Sequence, residues 1–298
     1  MIDRPGAIPA GPRALVEFAR RLAAGPAPFL VVTDFDGTLA PITIEPMATV
    51  IVPAARLALR SLARTAARRP GRLRLVVLSG RATLDVASRV RVGGIVYLGN
   101  HGLEAGALAR RGRVERLAVA ADPGLLAFVP LARALGEAVA TALGRPSWLL
   151  VEDKGPSVAF HFRQAPDPDA ARLLLSAAIE TSQREIGDRG LIAVGGRMVV
   201  ESRPPGAGGK GEAVRRLIES ERPGTVLTMG DDVSDAEAFR AVREARDAGT
   251  VDGLAVAVHG STETPATVLA HADIVLASPV EAARLLRILA GLLAAEPD

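Results

Sequence analysis

Two closely spaced aspartates are the first residues that could do chemistry. In Phe29-Leu30-Val31-Val32-Thr33-Asp34-Phe35-Asp36-Gly37-Thr38-Leu39, an apolar β-branched run stops at two carboxylates, a glycine and a hydroxyl. Such a run reads as a strand buried on both faces. Ligands of open α/β sheets bind beyond the carboxyl ends of their strands, where Asp34 and Asp36 would stand. The structural alternative is an Asp-rich turn that caps the next element. A calcium loop would use Asp34, Asp36, Thr38 and Glu45, but it needs glycine where Leu39 stands and a helix where the strand runs.

A second acidic cluster decides between these readings. Asp231, Asp232 and Asp235 follow another apolar run at Thr225–Met229. Ser79 ends a third run at Leu73–Leu78, and Lys210 precedes a helical stretch. Five carboxylates packed in one crevice would repel strongly, so a divalent cation is close to obligatory. With no cysteine and no histidine cluster, the donors are oxygens, which favour a hard ion. Magnesium is the expected cofactor, since it pairs a few carboxylates with a phosphate. Ser79 and Lys210 would offer a hydroxyl and a point charge to phosphate oxygens. A carboxylate nucleophile beside a second acid suits phosphoryl transfer through an aspartyl-phosphate.

The elements that must position these groups fall into two textures. Helical periodicity covers Arg13–Ala24, Pro53 to about Arg69, and Ala82–Val90; strands are expected at Phe29–Thr33, Leu73–Leu78 and Ile95–Leu98. These β–loop–α units indicate a doubly wound parallel sheet. The rhythm then changes. Leu103–Val119 alternates around Arg111-Gly112 like a hairpin, a helix runs from Pro123 to about Leu143, and strands are expected at Trp148–Val151 and Ser157–Phe162. A helix over Asp169–Glu185 and a hairpin turning at Gly195-Gly196 complete an α+β insert. From Lys210 the first rhythm resumes, with strands at Thr225–Met229, Leu254–Val258 and Asp273–Leu276 and a last helix from Pro279. The expected division is a core of residues 1–104 and 204–298 around a cap of residues 105–203.

Composition narrows the class. A chain of 298 residues with 49% hydrophobic and 23% charged residues is ordinary for a soluble globular enzyme. No apolar run of transmembrane length and no signal pattern stand out, so a cytoplasmic protein with no membrane partner is expected. Net charge is +3 and aromatics are 3% of residues, which argues against nucleic-acid binding. Only Lys154 and Lys210 among 36 cationic residues are lysines. Where nearly every cation is arginine, a lysine marks a place that needs a compact ammonium.

The four motifs Asp34-Phe-Asp36-Gly37-Thr38, Ser79, Lys210-Gly211 and Gly230-Asp231-Asp232-Val-Ser-Asp235 resemble, in order, those of haloacid dehalogenase superfamily phosphatases. The resemblance implies a Rossmannoid α/β core with an inserted α+β cap of the C2B type. It implies Asp34 as nucleophile, Asp36 as acid/base, and magnesium held by Asp34, the Asp36 carbonyl and Asp231, with Asp232 and Asp235 direct or through water. A narrower likeness rests on Ser79-Gly80-Arg81, Gly99-Asn100-His101-Gly102-Leu103-Glu104, Val151-Glu152-Asp153-Lys154, His161-Phe162-Arg163 and Glu201-Ser202-Arg203-Pro204. These are similar to the trehalose-6-phosphate phosphatase family. That likeness implies substrate contacts at Thr38, Gly80, Arg81, His101, Glu152, Lys154, Glu201 and Arg203. It also implies a sugar phosphate as substrate, a trehalose-6-phosphate synthase as protein partner, and a monomer. Gly209 before Lys210 and Ala236 after Asp235 depart from the family's common residues. Other capped sugar phosphatases, acting on sucrose or mannosylglycerate phosphates, are the enzyme alternatives, as is a phosphomutase. A silent sugar-phosphate sensor is the non-catalytic one, against which the acid/base position Asp36 speaks. Glu152 with Lys154 also reads as a surface ion pair, and His101 and His161 as structural histidines.

Overall fold

The run Phe29–Thr33 forms a strand with every residue buried. In the computed structural model, which describes residues 8–9, 11–43, 45–187, 190–196, 198–259 and 265–295, it lies at the centre of a nine-stranded sheet. Across that sheet the order is Ile8–Pro9, Ile274–Leu276, Asp252–Val258, Thr225–Gly230, Phe29–Thr33, Leu73–Leu78, Ile95–Gly99, Glu104–Leu108 and Ala120–Ala121. The strands from Ile8–Pro9 through Ile95–Gly99 pair in parallel, and Glu104–Leu108 returns antiparallel.

Alternation sends each strand's side chains to two separate cores. Phe29, Val31, Leu75, Val77, Leu227 and Met229 join a core closed by helices Pro12–Ala23, Pro53–Arg68 and Pro279–Ala295. Leu30, Val32, Val76, Leu78 and Val226 join the other, under helices Lys210–Glu221 and Val233–Asp247. Both faces of the central strands are therefore apolar, which is why they read as unbroken hydrophobic runs.

Contacts divide the chain into Met1–Ala120 with Gly208–Asp298, and Ala121–Ala207. The first boundary thus falls at residues 120 and 121, later than the 104 and 105 read from sequence. Strand pairing is the reason. Glu104–Leu108 does not begin the insert but pairs with Ile95–Gly99, from Ile95 opposite Leu108 to Gly99 opposite Glu104. The turn between them is Asn100–Gly102. The turn expected around Arg111-Gly112 is present, where Gly112 N donates to Ala109 O at 2.7 Å, and it leads from Glu104–Leu108 towards the neighbouring strand Ala120–Ala121.

The second unit is a four-stranded antiparallel sheet in the order Leu150–Asp153, Val158–His161, Val199–Arg203, Ile192–Gly196. Val158, Phe160 and Val200 pack with Ala132, Leu135 and Val139 of helix Val129–Ala142 and with Leu175 and Ile179 of helix Pro168–Glu185. The first strand reaches Asp153, beyond the Val151 expected from sequence, because Glu152 and Asp153 pair with Ala159 and Val158. Pairing outweighs the low strand preference of acidic residues.

Contrary to the sequence reading, residues Pro123–Ala142 are long and apolar enough to cross a membrane by length and composition. They do not form one rod: a short helix Pro123–Leu126 precedes Val129–Ala142. The longer helix buries Ala132, Leu135, Gly136, Val139 and Ala140 against the sheet and exposes Arg133 and Glu137, the stripe of an amphipathic core helix.

Candidate active site

Register delivers the acidic groups of the first unit to one place. Thr33 pairs with Met229 on one side and Val77 on the other, so three neighbouring strands end at one level. Asp34 continues the ladder, donating its N–H to Met229 O at 2.9 Å. Gly230-Asp231 and Ser79 occupy the adjacent strand ends. Two glycines make the approach possible. Gly37 has a φ of +74°, and a Cβ there would collide with the Asp231 carboxylate. A Cβ on Gly230 would meet the Asp235 carboxylate.

Lys210 opens its helix from a Gly209 cap and is 3% exposed. Its Nζ donates to Asp34 Oδ1 at 2.7 Å and to Asp235 Oδ1 at 2.8 Å. Asp235 Oδ2 accepts the backbone N–H groups of Asp231 and Asp232 at 3.2 and 3.1 Å, which ties the acidic loop to the helix it precedes. Burial would strip Lys210 of its proton, but Asp235 and Asp34 outweigh it and hold the ammonium above its usual range. Burial pushes the Asp34 carboxyl well up; Lys210 opposes this, while Asp235, Asp231 and Asp36 add to it.

Carboxylate oxygens of Asp34, Asp231 and Asp235 lie within 4.8 Å of one another, all three residues buried. Hard oxygen donors at this spacing, in a site that resists a negative charge on Asp34, fit a divalent cation. A buried Asp232 Oδ1 without a hydrogen-bond partner among the described residues adds a further oxygen in the same loop. Three of the five aspartates proposed from sequence come together as a ligand group. The Asp36 carboxylate is engaged elsewhere: Arg81 grips it from Nε and Nη2, both at 2.7 Å. Arg81 Nη1 reaches Asp85 at 3.0 Å, one helical turn on, and its guanidinium lies 5.7 Å from the centre of the Phe35 ring. Burial works against the Arg81 charge, but Asp36 and Asp85 more than offset it. The Arg81–Asp36 fork was not evident from sequence; the spacing of four between Arg81 and Asp85 was its one local signal.

The loops after neighbouring strands support this cluster. Ser79, fully buried, accepts from Arg81 N at 3.1 Å. Asn100 N and His101 N donate to Arg81 O and Ser79 O at 2.8 and 2.9 Å. The His101 ring lies where a side chain on Gly80 would stand. Thr38 is buried, and its Oγ1 has no hydrogen-bond partner among the described residues.

The remaining sequence-derived residues lie in the second unit. Pairing sets Glu152 opposite Ala159, and Ala159 opposite Glu201, so the three form one row on the sheet face away from the helices. The central alanine leaves room between the two glutamates. Lys154, 8% exposed, lies 4.0 Å from Glu152 Oε2 and 3.6 Å from Glu201 Oε2. His161 Nε2 is 2.8 Å from Glu152 Oε2, and Ser157 Oγ donates to Glu201 Oε1 at 2.8 Å. Arg203 ends its strand opposite Ile192, in line with Glu201. Sequence reasoning missed Ser157; strand alternation would have placed His161 on the face of Glu152.

A trehalose-phosphatase family profile matches residues 32–270. A trehalose-phosphate phosphatase of Mycobacterium avium is 36% identical over 256 residues, which are 84% of this chain and 59% of that protein. An uncharacterized glycosyl hydrolase of Mycobacterium tuberculosis is 37% identical over 234 residues, 75% of this chain but 16% of that protein. The chain thus spans well under two thirds of these relatives. Among solved structures, the C-terminal domain of a Candida albicans trehalose-6-phosphate phosphatase shares the fold with a TM-score of 0.72 at 19% identity, covering 97% of this chain and 99% of that one.

Proposed function

The chain belongs to the trehalose-phosphatase family of the haloacid dehalogenase superfamily, and from that premise we propose that it hydrolyses trehalose 6-phosphate to trehalose and phosphate with magnesium as its cofactor. The observation that carries the reading is Lys210 bridging Asp34 and Asp235 beside Asp231 at the ends of parallel strands. Asp34, Asp231 and Asp235 would hold the cation, with Asp232 and the Asp36 backbone as further oxygens. Magnesium bound there would supply the positive charge that lets Asp34 ionise and a phosphate approach.

Asp34 attacks phosphorus, and the bond from phosphorus to the sugar oxygen breaks as Asp36 gives that oxygen a proton. Asp36 then takes a proton from the water that attacks phosphorus and releases phosphate from Asp34. Arg81 orients Asp36, and its fork matches a phosphate as well as a carboxylate. Incoming substrate can therefore draw Arg81 away and free the acid. Lys210 holds Asp34 in one orientation, while Thr38, Ser79, Gly80 and His101 line the phosphate side. Glu152, Lys154, Glu201 and Arg203 recognise sugar hydroxyls, since carboxylates accept and cations donate several hydrogen bonds to a polyol. The reading extends to a cytoplasmic monomer whose substrate comes from a trehalose-6-phosphate synthase.

The test is phosphate release from a panel of sugar phosphates with and without magnesium. Trehalose 6-phosphate should be the preferred substrate, and chelation should stop its turnover. Preference for a sucrose, mannosylglycerate or monosaccharide phosphate would overturn the substrate assignment, and transfer to a sugar instead of water would overturn hydrolysis.

A further inference from the structure

Two residues beside Lys154 have no task in the reaction above. His161 Nε2 stands 2.8 Å from Glu152 Oε2. An ionised carboxylate only accepts, so Nε2 carries the hydrogen in this contact. Ser157, fully buried, donates to Glu201 Oε1 at 2.8 Å. Each glutamate that flanks Lys154 is thus held by a donor from the chain around strand Val158–His161.

The distances at Lys154 differ from those at Lys210. Ammonium and carboxylate groups that meet without restraint close to roughly 2.7–2.9 Å, as Lys210 does with Asp34 at 2.7 Å. Lys154 stops at 4.0 Å from Glu152 and 3.6 Å from Glu201. Ala159, between the two glutamates, keeps the row open. A hydroxyl entering such a gap can donate to a carboxylate and accept from the ammonium. A collapsed pair would first have to be broken.

We propose that His161 and Ser157 are positioning residues: they hold Glu152 and Glu201 apart on either side of Lys154 and so keep the gap that grips the polyhydroxylated part of a phosphate monoester. This rests on the reading of Glu152, Lys154 and Glu201 as sugar ligands.

The experiment measures kcat and KM of the full chain with magnesium, using trehalose 6-phosphate and p-nitrophenyl phosphate. The variants are Glu152→Ala, His161→Ala, His161→Gln, Ser157→Ala and the double His161→Ala/Glu152→Ala. Loss of one hydrogen bond to a charged group should cost His161→Ala about tenfold in KM for the sugar phosphate, with the aryl phosphate unchanged. His161→Gln should recover most of this, because its amide can donate from a similar reach. The double variant should be no worse than Glu152→Ala, the non-additivity of residues acting as one. Ser157→Ala, which removes a single hydroxyl from a packed site, should show the same selectivity. Equal loss on both substrates, failure of Gln to rescue, or additive losses would overturn the positioning role. If Glu152→Ala is selective and His161→Ala is harmless, positioning alone falls. If Glu152→Ala changes neither substrate, the sugar-binding reading falls and takes this proposal with it.

Discussion

The chain's two lysines each stand between two carboxylates, and the two settings differ in what surrounds them. Lys210 makes hydrogen bonds of 2.7 and 2.8 Å to Asp34 and Asp235, whose side chains are 6% and 3% exposed. Asp34 follows a parallel strand locked in register by neighbours on both sides, and Asp235 stands in the first turn of helix Val233–Asp247. Lys154 keeps 3.6 and 4.0 Å from Glu201 and Glu152, and the Glu152 side chain is 40% exposed. Its partners sit on one face of an antiparallel sheet. Similar charges therefore serve different ends. A tight buried cluster would fix the proposed nucleophile before substrate arrives, as electrostatic preorganisation requires. In the proposed sugar site the wider spacing would let a hydroxyl enter, and the half-exposed Glu152 adds little to the fold.

The sharpest way to break this contrast is at Asp34. Asp34→Asn should reduce turnover of sugar and aryl phosphates alike to background, because an amide cannot attack phosphorus. The folded state should survive, which circular dichroism checks. Measurable turnover of either substrate would remove Asp34 as the nucleophile. Asp36→Asn comes next, with a loss on the order of 10²–10⁴-fold for a missing acid and base. An aryl leaving group needs no proton, so its first step should suffer less than that of the sugar phosphate. Equal loss in the burst phase would count against the acid role.

Lys154 should give a smaller and selective effect. Lys154→Met should lower kcat/KM for trehalose 6-phosphate by about tenfold to hundredfold, the worth of a hydrogen bond or two to a charged group. The aryl phosphate should be unaffected. Lys154→Arg should not restore the loss, since a planar fork does not replace a compact ammonium between two carboxylates. Parallel losses on both substrates would make the two lysines alike and end the distinction.

The two clusters were also unequally legible in the sequence. In the core, Asp34, Ser79 and Asp231 each follow an apolar run, so they could be placed at strand ends from local pattern alone. A doubly wound parallel sheet then followed from the βα rhythm. Arg81's grip on Asp36 spans 45 residues and depends on side-chain geometry that no local pattern encodes. In the insert the row Glu152, Ala159, Glu201 exists only through register across three strands. The individual residues could be singled out by likeness and by the scarcity of lysine, but neither the small residue between them nor the donors Ser157 and His161 could be given a part. The boundary at residues 120 and 121 was obscured for a related reason: strand Glu104–Leu108 alternates like an insert hairpin yet pairs back into the core sheet.

The smallest expected effect concerns stability. Burial and neighbouring carboxylates raise the Asp34 carboxyl well above its ordinary value, with only part of this offset by Lys210. In the cation-free protein the folded state therefore holds a proton that the unfolded chain has released, over the pH range between the ordinary carboxyl value and the raised one. Stability falls with rising pH wherever the folded state binds more protons. The contribution from Asp34 is thus fully present below the ordinary carboxyl value, near 4, and is lost as pH climbs through the raised one. In chelator, the wild-type melting temperature should decline across this range more steeply than that of Asp34→Asn, which cannot titrate there. For a chain of this size each kcal/mol amounts to roughly 2–4 °C. Magnesium should reverse the trend. It competes with the proton for the same oxygens, so it should raise the melting temperature more at the upper end of the range than at the lower. The measurement is a set of thermal melts on both proteins across pH, in chelator and in magnesium. Identical pH slopes for the two proteins in chelator would mean that Asp34 is ionised without a cation, and that Lys210 alone balances the core cluster.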